Sequence, residues 1–139
     1  MTTTPTDSPA EIVTQFIAAV ERADLDAALA RLALDCTYDN VPFGPVVGHD
    51  AVRATLGPFM AEFDRIEWVV RHQVESGSSA VGTVLNERLD RFGTTAVDGT
   101  VSWFELPVAG VFEVRDGLIT LWRDYFDAAP LVHWMSSRG

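Results

Sequence analysis

Hydrophobic positions near the start of the chain recur at helical spacing. One apolar face is formed by Ile12, Val13, Phe16, Ile17 and Val20. Just before them, residues 8–11 read SPAE. This is a capping box in which the side chains of Ser8 and Glu11 can each accept a hydrogen bond from the other residue's amide, with Pro9 at the first helical position. The sequence therefore predicts a first helix that begins immediately after Ser8.

The pattern remains mostly helical up to about residue 64. Asp24 can cap a second, shorter helix. Its inner stripe would consist of Leu25, Ala28, Leu29 and Leu32. Residues 36–41, CTYDNV, break the helical period and indicate a short strand, and the Pro- and Gly-rich residues 42–48 predict a loop. Helical spacing returns over residues 49–63, where Gly57-Pro58 predicts a kink or a break.

From residue 65 onward the apolar period is two, which is typical of strands. Four strands are predicted, at residues 66–74, 79–92, 100–114 and 118–126. Asp116-Gly117 is a hairpin signal between the last two, and Pro107 or Gly110 could mark a bend or bulge. Residues 128–135 should close the chain as a turn or short helix. Helices followed by an antiparallel sheet give an α+β fold, and a strongly bent sheet around the helices would leave a cone with one mouth.

Two of these strands carry charge among apolar residues. Alternation in the strand predicted at residues 79–92 places Val84, Asn86, Arg88, Asp90 and Phe92 on one face. Arg88 and Asp90 are thus neighbours, an arrangement that also occurs as a solvated ion pair on exposed strands. One face of the last strand carries Leu118, Thr120, Trp122, Asp124 and Phe126. A carboxylate between large aromatic residues needs a buried partner or a raised pKa, and Arg88 is the obvious partner for Asp124.

Length, composition and charge limit the classes of function. A chain of 139 residues with 47% hydrophobic residues is expected to form one domain, residues 8–139, after a frayed arm at residues 1–7. The net charge of −10 disfavours nucleic acid and anionic membranes as partners. No apolar run approaches the ~20 residues needed to span a bilayer. The single Cys36 and a start without signal-peptide features predict a cytoplasmic protein.

Other chemistries have weaker signals in this sequence. The three His residues are far apart, with no ligand-like spacing to one another or to Cys36, so no metal site is expected. No nucleophile elbow, P-loop or dinucleotide fingerprint is present. Tyr38 and Asn40 would share a strand face, with Asp39 pointing away, but a pair with this spacing is usually structural.

Three motifs taken together resemble the limonene-1,2-epoxide hydrolase family. They are Y-x-N at residues 38–40, E-R-x-D at 87–90 and W-R-D-Y-F-D at 122–127. That family belongs to the nuclear-transport-factor-2-like, or SnoaL-like, superfamily. The resemblance implies a cone-shaped, curved mixed sheet packed on N-terminal helices, described as a cystatin-like α+β barrel. It also implies a homodimer formed through the sheet.

The resemblance further implies an epoxide hydrolase without a cofactor that adds water to a small apolar epoxide and releases a vicinal diol. Its implied catalytic residues are Tyr38, Asn40, Arg88, Asp90 and Asp124. Asp90 would act as the acid on the epoxide oxygen, Asp124 as the base on water, and Arg88 would bridge them. The implied substrate wall comprises Ile17, Val20, Phe59, Phe63, Phe92, Leu106, Val108 and Phe126. Same-fold rivals include isomerases and polyketide cyclases, which have no use for an arginine that joins two carboxylates. Another rival is a binding module for apolar ligands, in which Arg88 would pair both acids as a structural network, and the sequence alone leaves that alternative open.

Overall fold

A computed structural model describes residues 7–137 and shows an α+β fold. The helices are α1 (Pro9–Glu21), α2 (Leu25–Leu29), α3 (His49–Met60) and α4 (Ala128–Ser137). The strands are β1 (Leu32–Asn40), β2 (Gly44–Val47), β3 (Arg65–Ser78), β4 (Val81–Thr95), β5 (Val101–Arg115) and β6 (Leu118–Tyr125). Of the expected arm, residues 1–6 lie outside the described residues. Asp7 is tied to the domain, since its carbonyl accepts a hydrogen bond from the Ala80 amide.

The predicted helix starts are confirmed. Ser8 and Glu11 make both hydrogen bonds of the capping box at the start of α1, and the Asp24 side chain accepts a hydrogen bond from the Ala27 amide at the start of α2. Leu32, expected on the inner stripe of the second helix, instead begins β1. The early start of this strand was missed because apolar residues at 28, 29 and 32 also satisfy helical spacing.

The segment at residues 42–48 is not a loop throughout, as the sequence predicted. Residues Gly44–Val47 form β2, which pairs antiparallel with β1 at the edge of the sheet. Pro45 lies opposite Asp39 in this pair. Proline cannot donate to a central ladder, but an edge strand needs hydrogen bonds on only one side, which is why Pro45 is tolerated there.

The six strands form one mixed sheet with the order β2-β1-β6-β5-β4-β3. All neighbouring pairs are antiparallel except β1 and β6, which are parallel. This confirms the mixed sheet that the family resemblance implies, whereas the strand pattern alone indicated an antiparallel one. Because β2 and β3 remain free edges, the sheet is not closed into a barrel. The Asp116-Gly117 hairpin is confirmed, with positive φ at both turn residues.

The irregular positions of the sheet differ from those predicted. Pro107 and Gly110 pair with β4 in continuous register. Extra residues instead interrupt β3 at Arg71 and β6 at Thr120. The irregularity in β6 explains why Ile119 is buried and Leu118 exposed, the reverse of strict alternation.

The main core lies between α1 and the inner face of the sheet. Phe16 of α1 makes edge-to-face contacts with Trp68, Phe112 and Trp122 on three strands. Cys36 is fully buried, and burial, helped by Asp35, raises the pKa of its thiol to about 12, as expected for a packing residue. No helix within residues 7–137 is long and apolar enough to cross a membrane.

Candidate active site

The inner face of β4 carries the polar side chains that the alternation predicted. Asn86, Arg88 and Asp90 are buried between Val84 and Phe92, whereas Leu85 on the other face is exposed. This burial excludes the alternative of a solvated ion pair. The strand therefore directs a charged guanidinium and a carboxyl group into the concave side of the sheet.

Arg88 joins two aspartates, Asp90 two residues away on the same strand and Asp124 36 residues away on β6. Its Nε and Nη2 donate to the two carboxylate oxygens of Asp90 at 2.9 and 3.0 Å. Its Nη2 and Nη1 donate to the two oxygens of Asp124 at 3.0 and 3.3 Å. A fifth bond runs from Nη1 to Asn86 Oδ1 at 3.1 Å. A guanidinium has five N–H groups, so all of them are accounted for in a site where unpaired ones would be costly.

Burial and charge set the protonation of this cluster. Burial raises the pKa of Asp90 to about 6, against the lowering effect of Arg88 and with further raising by Asp124 and Glu21. Burial by itself would lower the pKa of Arg88, but the two carboxylates raise it, so the guanidinium stays charged. One permanent cation therefore faces two carboxyl groups, one of which readily takes up a proton.

Strand β1 adds two polar groups beside this cluster. Its parallel register with β6 places Tyr38 opposite Trp122 and Asn40 opposite Asp124. Asn40 Nδ2 donates to the Tyr38 hydroxyl at 3.0 Å, and Trp122 Nε1 donates to Asp124 Oδ2 at 3.1 Å. The Tyr38 ring stacks on Trp122 with centroids 3.7 Å apart. Burial raises the pKa of Tyr38, so its hydroxyl stays protonated.

A cavity of about 310 Å³ opens over these groups. Its lining consists of Tyr38, Asn40, Phe43, Thr55, Leu56, Phe59, Trp68, Asp90, Phe92, Leu106, Val108, Asp124, Phe126, Leu131 and Met135. Most of these side chains are apolar, and the polar ones converge at the two carboxyl groups. Arg88 is 1% exposed and lies behind the carboxyl groups instead of lining the cavity. The arrangement presents two carboxyl groups, one of them with a raised pKa, to an apolar ligand, while the guanidinium does not contact that ligand.

The expected substrate wall is only partly placed on the cavity. Phe59, Phe92, Leu106, Val108 and Phe126 line it. Ile17 and Val20 do not, because α1 buries that face in the core. Phe63 is also absent from the lining and packs behind Phe59 and Phe92, with centroids 5.1 Å from each.

Sequence reasoning missed several residues that shape the site. Trp68 lines the cavity, and its Nε1 is buried with no hydrogen-bond partner among the described residues. A signal for Trp68 was present in the sequence, because it alternates with Ile66 in a period-two run and so belongs to the inward face of that strand. Gly110 is a second case, since a Cβ there would lie 2.5 Å from Arg88 Nη1 and 3.0 Å from Asp124 Oδ1. That requirement depends on a contact between three strands, which no local pattern reveals.

Comparisons with known proteins agree with the motifs. The family profile "Limonene-1,2-epoxide hydrolase catalytic domain" matches residues 7–136. The chain is 35% identical over 116 residues to the epoxide hydrolase EphG of Mycobacterium tuberculosis, which covers 83% of this chain and 70% of that protein.

Solved structures extend the comparison to the fold. A limonene-epoxide-hydrolase-like epoxide hydrolase from M. tuberculosis superimposes with a TM-score of 0.60 at 30% identity, covering 91% of this chain and 88% of the other. A Shewanella denitrificans protein assigned to the SnoaL-like polyketide cyclases gives a TM-score of 0.75 at 12% identity, covering 92% and 96%. The second likeness is one of fold alone, because identity is so low.

Proposed function

Since the chain belongs to the limonene-1,2-epoxide hydrolase family, we propose that it adds water to an apolar epoxide in one step and releases a vicinal diol. The observation that carries this proposal is that buried Arg88 joins two aspartates at the polar end of an apolar cavity. Isomerases and cyclases of the same fold have no use for such a bridge. The reaction uses protein side chains and water, without a cofactor.

Epoxide opening by water needs an acid and a base at the same pH. Asp90 supplies the acid, since its pKa of about 6 lets it hold a proton far above the usual range for a carboxyl group. Asp124 supplies the base. As the water oxygen bonds to an epoxide carbon, Asp124 takes a water proton, the ring C–O bond breaks, and its oxygen takes the proton from Asp90. No covalent intermediate with the protein is formed.

The attacking water must be aimed by more than one contact. Tyr38 and Asn40 line the cavity next to Asp124, so their hydroxyl and amide can hold water against the carboxylate. Trp122 Nε1 holds Asp124 Oδ2, which limits rotation of the base. After turnover Asp124 has the proton and Asp90 lacks it, so a proton returns to Asp90 by way of the Arg88 bridge or water.

The cavity indicates the size and polarity of the substrate. About 310 Å³ lies at the lower end of the roughly 300 to 1,000 Å³ found for small-molecule sites. Walls of Phe59, Phe92, Phe126 and Leu106 favour a compact hydrocarbon, which suits a cyclic, terpene-like epoxide.

The test is diol formation from a panel of cyclic epoxides, limonene oxide and cyclohexene oxide among them. Wild type should give diol, while Asp90→Asn and Asp124→Asn should lose on the order of 10² to 10⁴ in rate. Asp39→Asn is the matched control, because Asp39 pairs with Arg123 outside the cavity, and it should stay active. Wild-type protein that binds these epoxides without hydrolysing them would indicate a binding module instead.

We also propose that the protein forms a homodimer through the outer face of the sheet. Val69, Leu85 and Tyr125, on β3, β4 and β6, leave between 42% and 47% of their surface exposed, and a second copy of the sheet would remove this apolar surface from water. Sedimentation should therefore give twice the mass of the 15.2 kDa chain. A monomer at micromolar concentration would contradict this assembly.

A further inference from the structure

Asn86 is a buried polar residue of the site to which the proposed reaction assigns no role. It is 6% exposed and its Oδ1 accepts from Arg88 Nη1 at 3.1 Å. It does not line the cavity, so it does not contact a substrate bound there. Any effect that it has on the reaction must therefore pass through Arg88.

The irregularity in β3 holds Asn86 in place. Asn86 Nδ2 donates to Gln73 Oε1 at 3.1 Å, and the two residues are cross-strand partners. They are partners only because Arg71 is an extra residue in β3. Without it, the register set by Val70 and Arg88 would bring His72 opposite Asn86. The bulge thus provides Asn86 with an amide partner, while His72 remains outside against Glu87.

Gly110 closes the space on the other side of Asn86. A Cβ at Gly110 would lie 2.7 Å from Asn86 Oδ1 and 2.5 Å from Arg88 Nη1. The backbone of β5 therefore lies close to the two atoms that form the hydrogen bond between Asn86 and Arg88. A side chain larger than hydrogen at residue 110 would therefore displace the Asn86 amide or that end of the guanidinium.

The neutrality of Asn86 also matters. The groups that face this cluster are Arg88, Asp90, Asp124 and the Tyr38 hydroxyl, with Glu21 acting on Asp90 from the end of α1. An amide oxygen accepts the fifth guanidinium N–H without competing for the positive charge. A carboxylate in its place would put a third anion around one cation.

From these contacts we propose that Asn86 is a positioning residue that fixes the Arg88 guanidinium and reserves its charge for Asp90 and Asp124. The catalytic consequence rests on the proposed function, but the electrostatic consequence does not. The two can therefore be tested separately.

The first test follows the Asp90 carboxyl carbon by NMR as pH is changed, in the free protein. Asn86→Asp keeps an acceptor for Nη1, and Gln73 can turn its amide to donate to it, so only the charge changes. The Asp90 midpoint should move to higher pH by a unit or more. Ser102→Asp, which adds the same charge at an exposed position of β5, should leave it unchanged. An unmoved midpoint in Asn86→Asp would overturn the proposal, whether or not wild type forms diol.

The second test uses Asn86→Leu, which keeps the size but removes the acceptor. With an active wild type, kcat should fall by between about tenfold and 100-fold, since small misplacement of a catalytic group has effects of this size. KM should change little, and the pH values at which kcat rises and falls should stay the same as in wild type. Gln73→Leu, a milder change, should give a smaller loss in the same direction. Asn86→Leu with wild-type kcat would refute the positioning role, whereas absence of diol from wild type would refute only the proposed reaction.

Discussion

Arg88 shows how a charged side chain can be fully buried in so small a domain. Each of its five N–H groups has an acceptor, and its guanidinium also lies 4.9 Å from the centre of the Trp68 ring. Two carboxyl groups around one cation leave an excess of negative charge if both are ionised. Asp90 relieves that excess by taking a proton, so the same contacts that stabilise Arg88 prepare Asp90 for the role of acid that we propose for it.

Asp90→Asn should make the fold more stable at neutral pH. The folded-state pKa of about 6 lies above the value of about 3.9 for an unfolded Asp, so the folded protein binds more protons between these values. Wild type therefore loses stability as pH rises from about 4 to 6, and asparagine removes that loss. One pKa unit is about 1.4 kcal/mol, so the gain should be roughly 2 to 3 kcal/mol at pH 7 and near zero at pH 4.

Urea unfolding of both proteins between pH 4 and 8 measures this difference. A variant that is less stable than wild type at pH 7 would contradict this account. It would show that ionised Asp90 stabilises the fold by pairing with Arg88, instead of lowering the free energy of unfolding.

Gly110→Ala should impair both activity and stability. The added methyl group would press on Arg88 Nη1 and Asp124 Oδ1, so the guanidinium must move. We expect a cost of about 1 to 3 kcal/mol in unfolding free energy and a loss of up to about 100-fold in kcat. Gly93→Ala is the matched control, because its Cβ would crowd Trp103 and Arg65 at 3.0 to 3.1 Å, away from the site. It should lose stability yet keep kcat; equal losses of kcat in both variants would contradict the role of Gly110.

The final helix, α4, contributes apolar side chains to the cavity, whereas the strands contribute its carboxyl groups. None of its residues is buried, and it is held over the cavity chiefly by Trp134, which stacks on Phe63 and Phe104 with centroids 5.2 and 5.7 Å apart. Leu131 and Met135 of the same helix line the cavity. The helix thus completes the apolar wall without contributing a polar group.

Trp134→Ala should therefore raise KM several-fold for an apolar epoxide while leaving kcat near the wild-type value, because the carboxyl groups stay in place. Faster amide hydrogen exchange in Ala128–Ser137 should accompany the change. Val132→Ala is the control, since Val132 is an exposed residue of the same helix outside the cavity lining. An unchanged KM in Trp134→Ala would mean that the helix has no part in substrate binding.

Most elements could be predicted from local patterns because their signals are local. The capping box of α1, the hairpin at Asp116-Gly117 and the inward face of β4 each depend on residues that are close in sequence. The bulge at Arg71 and the edge strand β2 could not, because they depend on which strand lies alongside. The bulge at Arg71 is a shift in the pairing between two strands, so the amino-acid pattern of β3 by itself does not reveal it.

The whole sheet is what brings the site together. Tyr38, Asp90 and Asp124 come from three strands that are separated widely in sequence, and only the order β1-β6-β5-β4 places them around one cavity. Their types were predictable through motifs, and alternation placed Asn86 on the face of Arg88. The hydrogen bond between these two side chains and the close approach of Gly110 were not predictable. The same holds for Ile17 and Val20, whose helical face is equally suited to a core or a cavity wall.

The most direct test of one-step water addition is a single turnover in heavy-oxygen water, with enzyme in excess over epoxide. Direct attack by a water held at Asp124 predicts the heavy oxygen in the diol formed in that first turnover, with none in the protein. Unlabelled diol together with heavy oxygen in the Asp124 or Asp90 carboxylate would mean that an aspartate attacks the epoxide, and would contradict the assignment of these residues as acid and base.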